Sequence, residues 1–139
     1  MKRIFVTAIA AAALGATAHA QTLRFASQGD PQTMDPHSQN ESFTNSVNQQ
    51  VYEYLVGRDK QTTIVPGLAT SWEQLSPLKW RFKLRQGVKF HDGSTFNADD
   101  VVYSINRAKE PTSQIAVYGN AVGTPKKIDD YTVEFEMTK

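Results

Sequence analysis

His37 and His91 are the histidines beyond the first twenty residues, and they are the natural starting point for catalysis or metal binding. They lie far apart, and neither has a second histidine or a cysteine at ligand spacing, so the sequence gives a metal centre little support. His91 belongs to His91-Asp92-Gly93, a turn with a glycine available for positive φ, and reads as part of that turn. His37 follows Asp35-Pro36 in a loop. The 139-residue chain has no cysteine, which excludes disulfides, thiolate metal sites and a cysteine nucleophile. It contains no G-x-S-x-G nucleophile elbow and no G-x-x-x-x-G-K-[ST] phosphate loop. Asn45 and Asn48 offer amides near the start of a helical segment, although by themselves they read as a solvated helix face.

The residues from Trp80 to Ser104 show most clearly how the chain is built. Trp80, Phe82 and Leu84 alternate with Arg81, Lys83 and Arg85, the period-2 pattern of a half-buried strand. On this reading Arg81 lies on the solvent face. Gln86-Gly87 interrupts the pattern, and Val88 and Phe90 begin a second short strand. Asn97 is placed to cap a helix with Asp99 and Asp100 in its first turn, where the helix dipole favours anions. Val101, Val102, Ile105 and Ala108 share one face of that helix, and Pro111 ends it.

The same logic extends in both directions. Leu23 to Ser27 is expected to be a strand and Gln28 to Asn40 a loop. Phe43 to Tyr54 is expected to be helical and capped by Ser42 or Thr44. A short strand at Leu55 to Arg58 follows, then a turn at Asp59 to Thr63. Leu68 to Leu75 and Lys79 to Leu84 form a hairpin across Ser76-Pro77, with Trp72 expected to pack on Trp80. Ser113 to Tyr118 reads as a short helix. Lys126 to Ile128 pairs with Thr132 to Met137 across Asp129-Asp130, and Val133, Phe135 and Met137 share one face.

The chain opens with a processing signal. Lys2 and Arg3 form a basic start, Ile4 to Ala16 is apolar, and Ala18-His19-Ala20 is an A-x-A cleavage site, so Gln21 is the expected mature N-terminus. The apolar run is short of the roughly 20 residues needed to span a bilayer. No cysteine follows it to carry a lipid anchor. Removing residues 1–20 leaves 13 basic and 14 acidic residues, a formal charge of −1. These charges are dispersed with no basic stripe, which argues against nucleic acid as a partner.

The motifs resemble a known family. Pro66-Gly67-Leu68-Ala69-Thr70-Ser71-Trp72-Glu73, the run Phe82 to Gly93, and Ala98-Asp99-Asp100-Val101-Val102-Tyr103-Ser104 are similar in type and order to its signature elements. Leu23-Arg24-Phe25-Ala26, Thr33-Met34-Asp35-Pro36-His37 and Val51-Tyr52-Glu53-Tyr54-Leu55-Val56 resemble its opening strand, its following loop and the end of its first helix. The family is that of the family-5 extracellular solute-binding proteins, the periplasmic substrate-binding proteins of peptide-type ABC importers, with dipeptide, oligopeptide and nickel binders among its members.

The resemblance implies an α/β fold, the N-terminal part of a two-lobe periplasmic binding protein (type II, peptide-binding class), with a mixed sheet and flanking helices. It implies a signal peptide at 1–20, the first segment of the large lobe at 21–59, and a small subdomain of the first lobe at 60–139. Because family members are several times longer, the chain is expected to be an N-terminal fragment; a complete small domain is the alternative. By the same resemblance, Ala26, Ser27, Gln28 and Gly29, just after the first strand, approach the ligand, and Asn45 faces the same cleft. Backbone groups there would pair with a peptide as an added strand, and Gly29 allows close approach; Gly29-Asp30-Pro31 as a simple turn stays open beside that reading. The implied function is capture of a peptide or other small solute in the periplasm for delivery to an ABC permease of the inner membrane. The implied protein is a monomer with no cofactor, no metal and no catalytic residue. A secreted enzyme of hydrolase type and a sensory receptor domain on the same fold are the other classes in play.

Overall fold

The computed structural model describes residues 24–138. Its centre is a four-stranded antiparallel sheet in the order β3-β4-β6-β5. The strands are β3 (Ala69–Ser76), β4 (Lys79–Leu84), β5 (Thr124–Asp129) and β6 (Thr132–Glu136). A separate two-stranded ribbon joins β1 (Val56–Arg58) to β2 (Ile64–Pro66). Among the described residues three helices accompany them: α1 (Ser42–Asn48), α2 (Ala98–Ala108) and α3 (Ala116–Val122).

The alternation along β4 does what its pattern dictates. Phe82 and Leu84 face the core with Val133 and Phe135 of β6, opposite Ala98 and Val101 of α2. Phe82 meets Phe135 edge-on at 5.3 Å between ring centroids, a favoured aromatic geometry. Phe96 closes the same cluster from the loop before α2 and meets Phe90 edge-on at 6.2 Å. Arg81 and Lys83 emerge on the other face. There Arg81 donates to Glu134, and Lys83 Nζ donates to Thr132 Oγ1 at 2.9 Å. These long stems cover β6, so Thr132 and Glu134 are buried although they point away from the core.

The start of α2 is set locally. Asn97 Oδ1 accepts from the Asp99 amide at 2.7 Å, and Asp100 Oδ2 accepts from the Asn97 amide at 2.8 Å, a reciprocal capping box. Lys127 of β5 bridges Asp99 at 2.7 Å and Asp130 at 2.8 Å, tying the sheet to the first turn of α2. Gly93 adopts φ 88 in the turn after Phe90, as the His91-Asp92-Gly93 pattern requires. Asp92 holds that turn by accepting from the Ser94 amide at 2.9 Å.

Several expectations are corrected. Arg24 to Ser27 forms no strand; it has no pairing partner among the described residues, and Phe25 is 78% exposed. α1 ends at Asn48 rather than near Tyr54, and its cap is Glu41, whose carboxylate accepts from the Phe43 and Thr44 amides. Thr44 is turned inward and buried, so it is not free to cap. Val88 and Phe90 begin no strand; only an isolated bridge forms there, from Lys89 to Thr95. The short helix lies at Ala116–Val122, not Ser113 to Tyr118. β2 carries no period-2 signal of its own and includes Pro66, which an edge strand tolerates. Trp72 stacks on Phe82, its directly opposed partner, and not on Trp80, which stands opposite Gln74. The signal peptide and its cleavage site lie outside the described residues.

Candidate functional site

Ala26, Ser27, Gln28 and Gly29 form an exposed, irregular segment at the start of the described chain. Ser27 Oγ donates to the Gly29 carbonyl at 3.1 Å, a local turn. The loop that follows is tied down by longer reaches. The Gln32 amide donates to Thr44 Oγ1 of α1 at 3.1 Å, and Tyr52 Oη donates to the Met34 carbonyl at 2.8 Å. Thus the segment carrying Ala26–Gly29 and the helix carrying Asn45 and Asn48 meet through Gln32 and Thr44. No hydrogen bond joins Ala26–Gly29 to Asn45 among the described residues.

Asn45 is half-buried, with no side-chain hydrogen bond among the described residues. Asn48 is buried, and neither its amide nitrogen nor its oxygen has a partner among the described residues. The solvated helix face expected for Asn48 is therefore corrected: it points inward. An unpaired buried amide is costly, on the order of 1–3 kcal/mol per group.

The segment after α1 and the β1–β2 ribbon line an open cleft of about 510 Å³, with Gln49, Tyr52, Glu53, Tyr54, Val56 and Arg58 among its residues. It mixes aromatic surface with both charge signs. The sequence pattern singles out none of these residues for recognition; their signal is absorbed into a helix end and a short strand.

His37 sits in a second cluster. Arg107, in the last turn of α2, holds Asp35 through two hydrogen bonds, Nη1 to Oδ1 at 2.8 Å and Nη2 to Oδ2 at 2.5 Å. The same Nη1 lies 2.8 Å from His37 Nδ1. The Arg107 hydrogen bond, aided by the His37 amide, lowers the Asp35 pKa to about 2. His37 is pushed below its ordinary value, first by burial and then by the Arg107 charge. Its carbonyl accepts from the Gln114 amide at 2.9 Å. His37 thus anchors the loop to α2 and the segment after it. No group of three potential metal-binding side chains occurs among the described residues. His91 is exposed in its turn.

These elements combine helices with sheets that are antiparallel throughout the described residues, where a mixed sheet was expected, and form part of a two-lobe periplasmic binding protein fold. The family described as bacterial extracellular solute-binding proteins, family 5 Middle, matches residues 63–139, and the chain belongs to that family. The glutathione-binding protein GsiB of Pectobacterium atrosepticum is 34% identical over 108 residues, covering 76% of this chain and 21% of its own length. The dipeptide-binding protein of Escherichia coli is 32% identical over 156 residues, covering 94% of this chain and 29% of its own. The oligopeptide-binding protein AppA from Bacillus subtilis, solved in complex with a nonapeptide, superposes with a TM-score of 0.73 at 28% identity. That match covers 81% of this chain and 23% of AppA. The chain therefore spans between about a fifth and a third of the proteins it matches.

Proposed function

We propose that this chain is part of the substrate-binding component of an ABC importer. It contributes one wall of a site that captures a peptide or peptide-like solute in the periplasm and delivers it to an inner-membrane permease. The observation that carries this reading is family membership together with the ligands of its relatives: glutathione, a dipeptide and a nonapeptide. All three are extended chains of amide groups, and a backbone without a strand partner suits such ligands. Arg24 to Ser27 has that character among the described residues. The proposed contacts are Ala26, Ser27, Gln28, Gly29 and Asn45. Binding here is by hydrogen bonding and burial, with no catalytic step. The protein acts as a monomer and is exported by cleavage after Ala20.

Calorimetry of the full-length gene product with glutathione and with di- to pentapeptides tests the reading. Micromolar affinity, near −8 kcal/mol, for at least one of these supports it. Affinity no better than about millimolar for every one would remove peptides as the ligand class. Mass spectrometry of the periplasmic protein should show Gln21 first, and Ala20→Leu should block that processing, because the peptidase accepts only small side chains at this position.

A further inference from the structure

His37 Nδ1 faces Arg107 Nη1 at 2.8 Å. A guanidinium has donors only and stays charged at any ordinary pH. The imidazole must therefore accept at Nδ1, which fixes it as neutral with its proton on Nε2. A second proton, on Nδ1, would set donor against donor and positive charge against positive charge at that distance.

The charged groups around His37 come from three elements. Its own loop supplies Asp35, α2 supplies Arg107, and the segment after α2 supplies Glu110. Tyr103 of α2 acts on Arg107 from the same helix. Asp35 could stabilise an imidazolium, but both its oxygens are engaged: Oδ1 by Arg107 and by the His37 amide at 3.0 Å, Oδ2 by Arg107. Burial and the Arg107 charge outweigh the two carboxylates, so the neutral ring is the favoured form. A pocket of about 180 Å³, lined by Asp35, His37, Ser38, Arg107, Glu110 and Ser113 among others, lies beside the ring.

We propose that Asp35, His37 and Arg107 form an acid-sensitive latch, in which protonation of His37 at Nδ1 breaks its contact with Arg107 and loosens the His37 end of the loop from Gln114, while the Asp35–Arg107 pair still holds the loop to α2. The latch does not depend on which ligand the protein binds. Its two states differ at one proton, at the Arg107–His37 contact and at the Gln114 hydrogen bond to the His37 carbonyl. What it releases is the His37 end of the loop directly after Ala26–Gly29, a loop also held by Gln32 and Tyr52, so the result is local loosening and not unfolding.

Nitrogen-detected NMR of the histidines in the full chain tests this, with His37 assigned by the signal lost in His37→Asn. The expected result is the Nε2–H tautomer at pH 7.5 and a titration midpoint below the ordinary value of about 6.5. Amide exchange at Gln114, corrected for its intrinsic pH dependence, should accelerate as pH falls through that midpoint. His37→Asn keeps an acceptor for Arg107 but does not titrate, so the acceleration should vanish. Arg107→Gln should raise the His37 midpoint toward the ordinary value; if that variant does not fold, His37→Asn and the wild-type titration decide alone. An Nδ1–H tautomer, a midpoint at or above about 6.5, or unchanged acid acceleration in His37→Asn overturns the latch.

Discussion

Arg81 on β4 reaches Glu134 on β6, with Nη2 2.6 Å and Nε 3.0 Å from the same Oε1. Its Nη1 also lies 3.3 Å from Glu73 on β3. One guanidinium thus ties three neighbouring strands. The period-2 pattern puts Arg81 on a solvent face, where truncation costs little. The Glu134 side chain, only 11% exposed, changes that expectation. Arg81→Ala should destabilise the chain more than Lys126→Ala, which removes an exposed cation with no ion pair among the described residues. Arg81 lowers the Glu134 pKa. A depressed carboxylate pKa adds stability above its unfolded value, and that stability fades as pH falls through the folded value. The penalty of Arg81→Ala should therefore be full at pH 7 and smaller at pH 3, below the ordinary carboxylate value. Urea melts at both pH values check this; an equal loss at both would show that the ion pair is not the cause.

Phe82, not Trp80, is the partner of Trp72 across the hairpin. It stacks on Trp72 at 6.4 Å, meets Phe135 edge-on, and packs against the buried cluster. Phe82→Ala should cost about 3 kcal/mol, and Trp80→Ala distinctly less, because Trp80, half-buried like Phe82, lies off that cluster. Denaturant unfolding of both variants decides it. A larger loss for Trp80→Ala would contradict the observed packing.

Local signals are the legible ones. The β3–β4 hairpin, the Gly93 turn and the Asn97 cap each depend on residues within a few positions, and each appears where its pattern places it. The failures share a physical cause. Leu23 to Ser27 has a strand composition, but a strand needs a partner, and Arg24 to Ser27 has none among the described residues. Ser42 and Thr44 are good caps by type, yet Thr44 is committed to Gln32 and the nearby Glu41 carboxylate takes the role. The Asp35–Arg107 contact joins residues 72 apart in sequence, which periodicity cannot see. Among the proposed ligand residues, the turn at Gly29 is visible locally, whereas the inward orientation of the neighbouring Asn48 follows from tertiary packing.

Two glycines separate folding from recognition. Gly123 adopts φ 85 and ψ −145, a region essentially closed to other residues. A Cβ there would lie 2.0 Å from the Glu136 carbonyl oxygen. Gly123→Ala should cost about 3 kcal/mol or more. A methyl group added at Gly29 would meet nothing within 4 Å, so Gly29→Ala should change stability by less than about 0.5 kcal/mol. If Ala26–Gly29 contacts the ligand backbone, Gly29→Ala in the full-length gene product should still weaken peptide binding. Thermal melts and calorimetry on the same samples separate the two effects. Unchanged affinity in Gly29→Ala would remove this segment from the proposed site.

Asp35 should give the chain a distinct acid response at low pH. Its pKa is lowered from 3.8 to about 2, chiefly by the Arg107 hydrogen bond and then by the His37 amide. The folded value lies below the unfolded one, so the carboxylate contributes stability that is complete above about pH 4 and is lost as pH falls toward 2. His37, whose pKa is also lowered, acts higher on the scale: its folded form resists protonation, so stability falls as pH drops below the unfolded value near 6.5. Asp35→Asn keeps the shape and one oxygen acceptor for Arg107 but surrenders the charge that pairs with it. The variant should be less stable than wild type at pH 7, and the difference should shrink between pH 4 and pH 2, where wild-type Asp35 itself becomes neutral. Urea melts of both proteins across that range provide the measurement. A difference that stays constant down to pH 2 would show that the Asp35 charge does not hold the loop to α2.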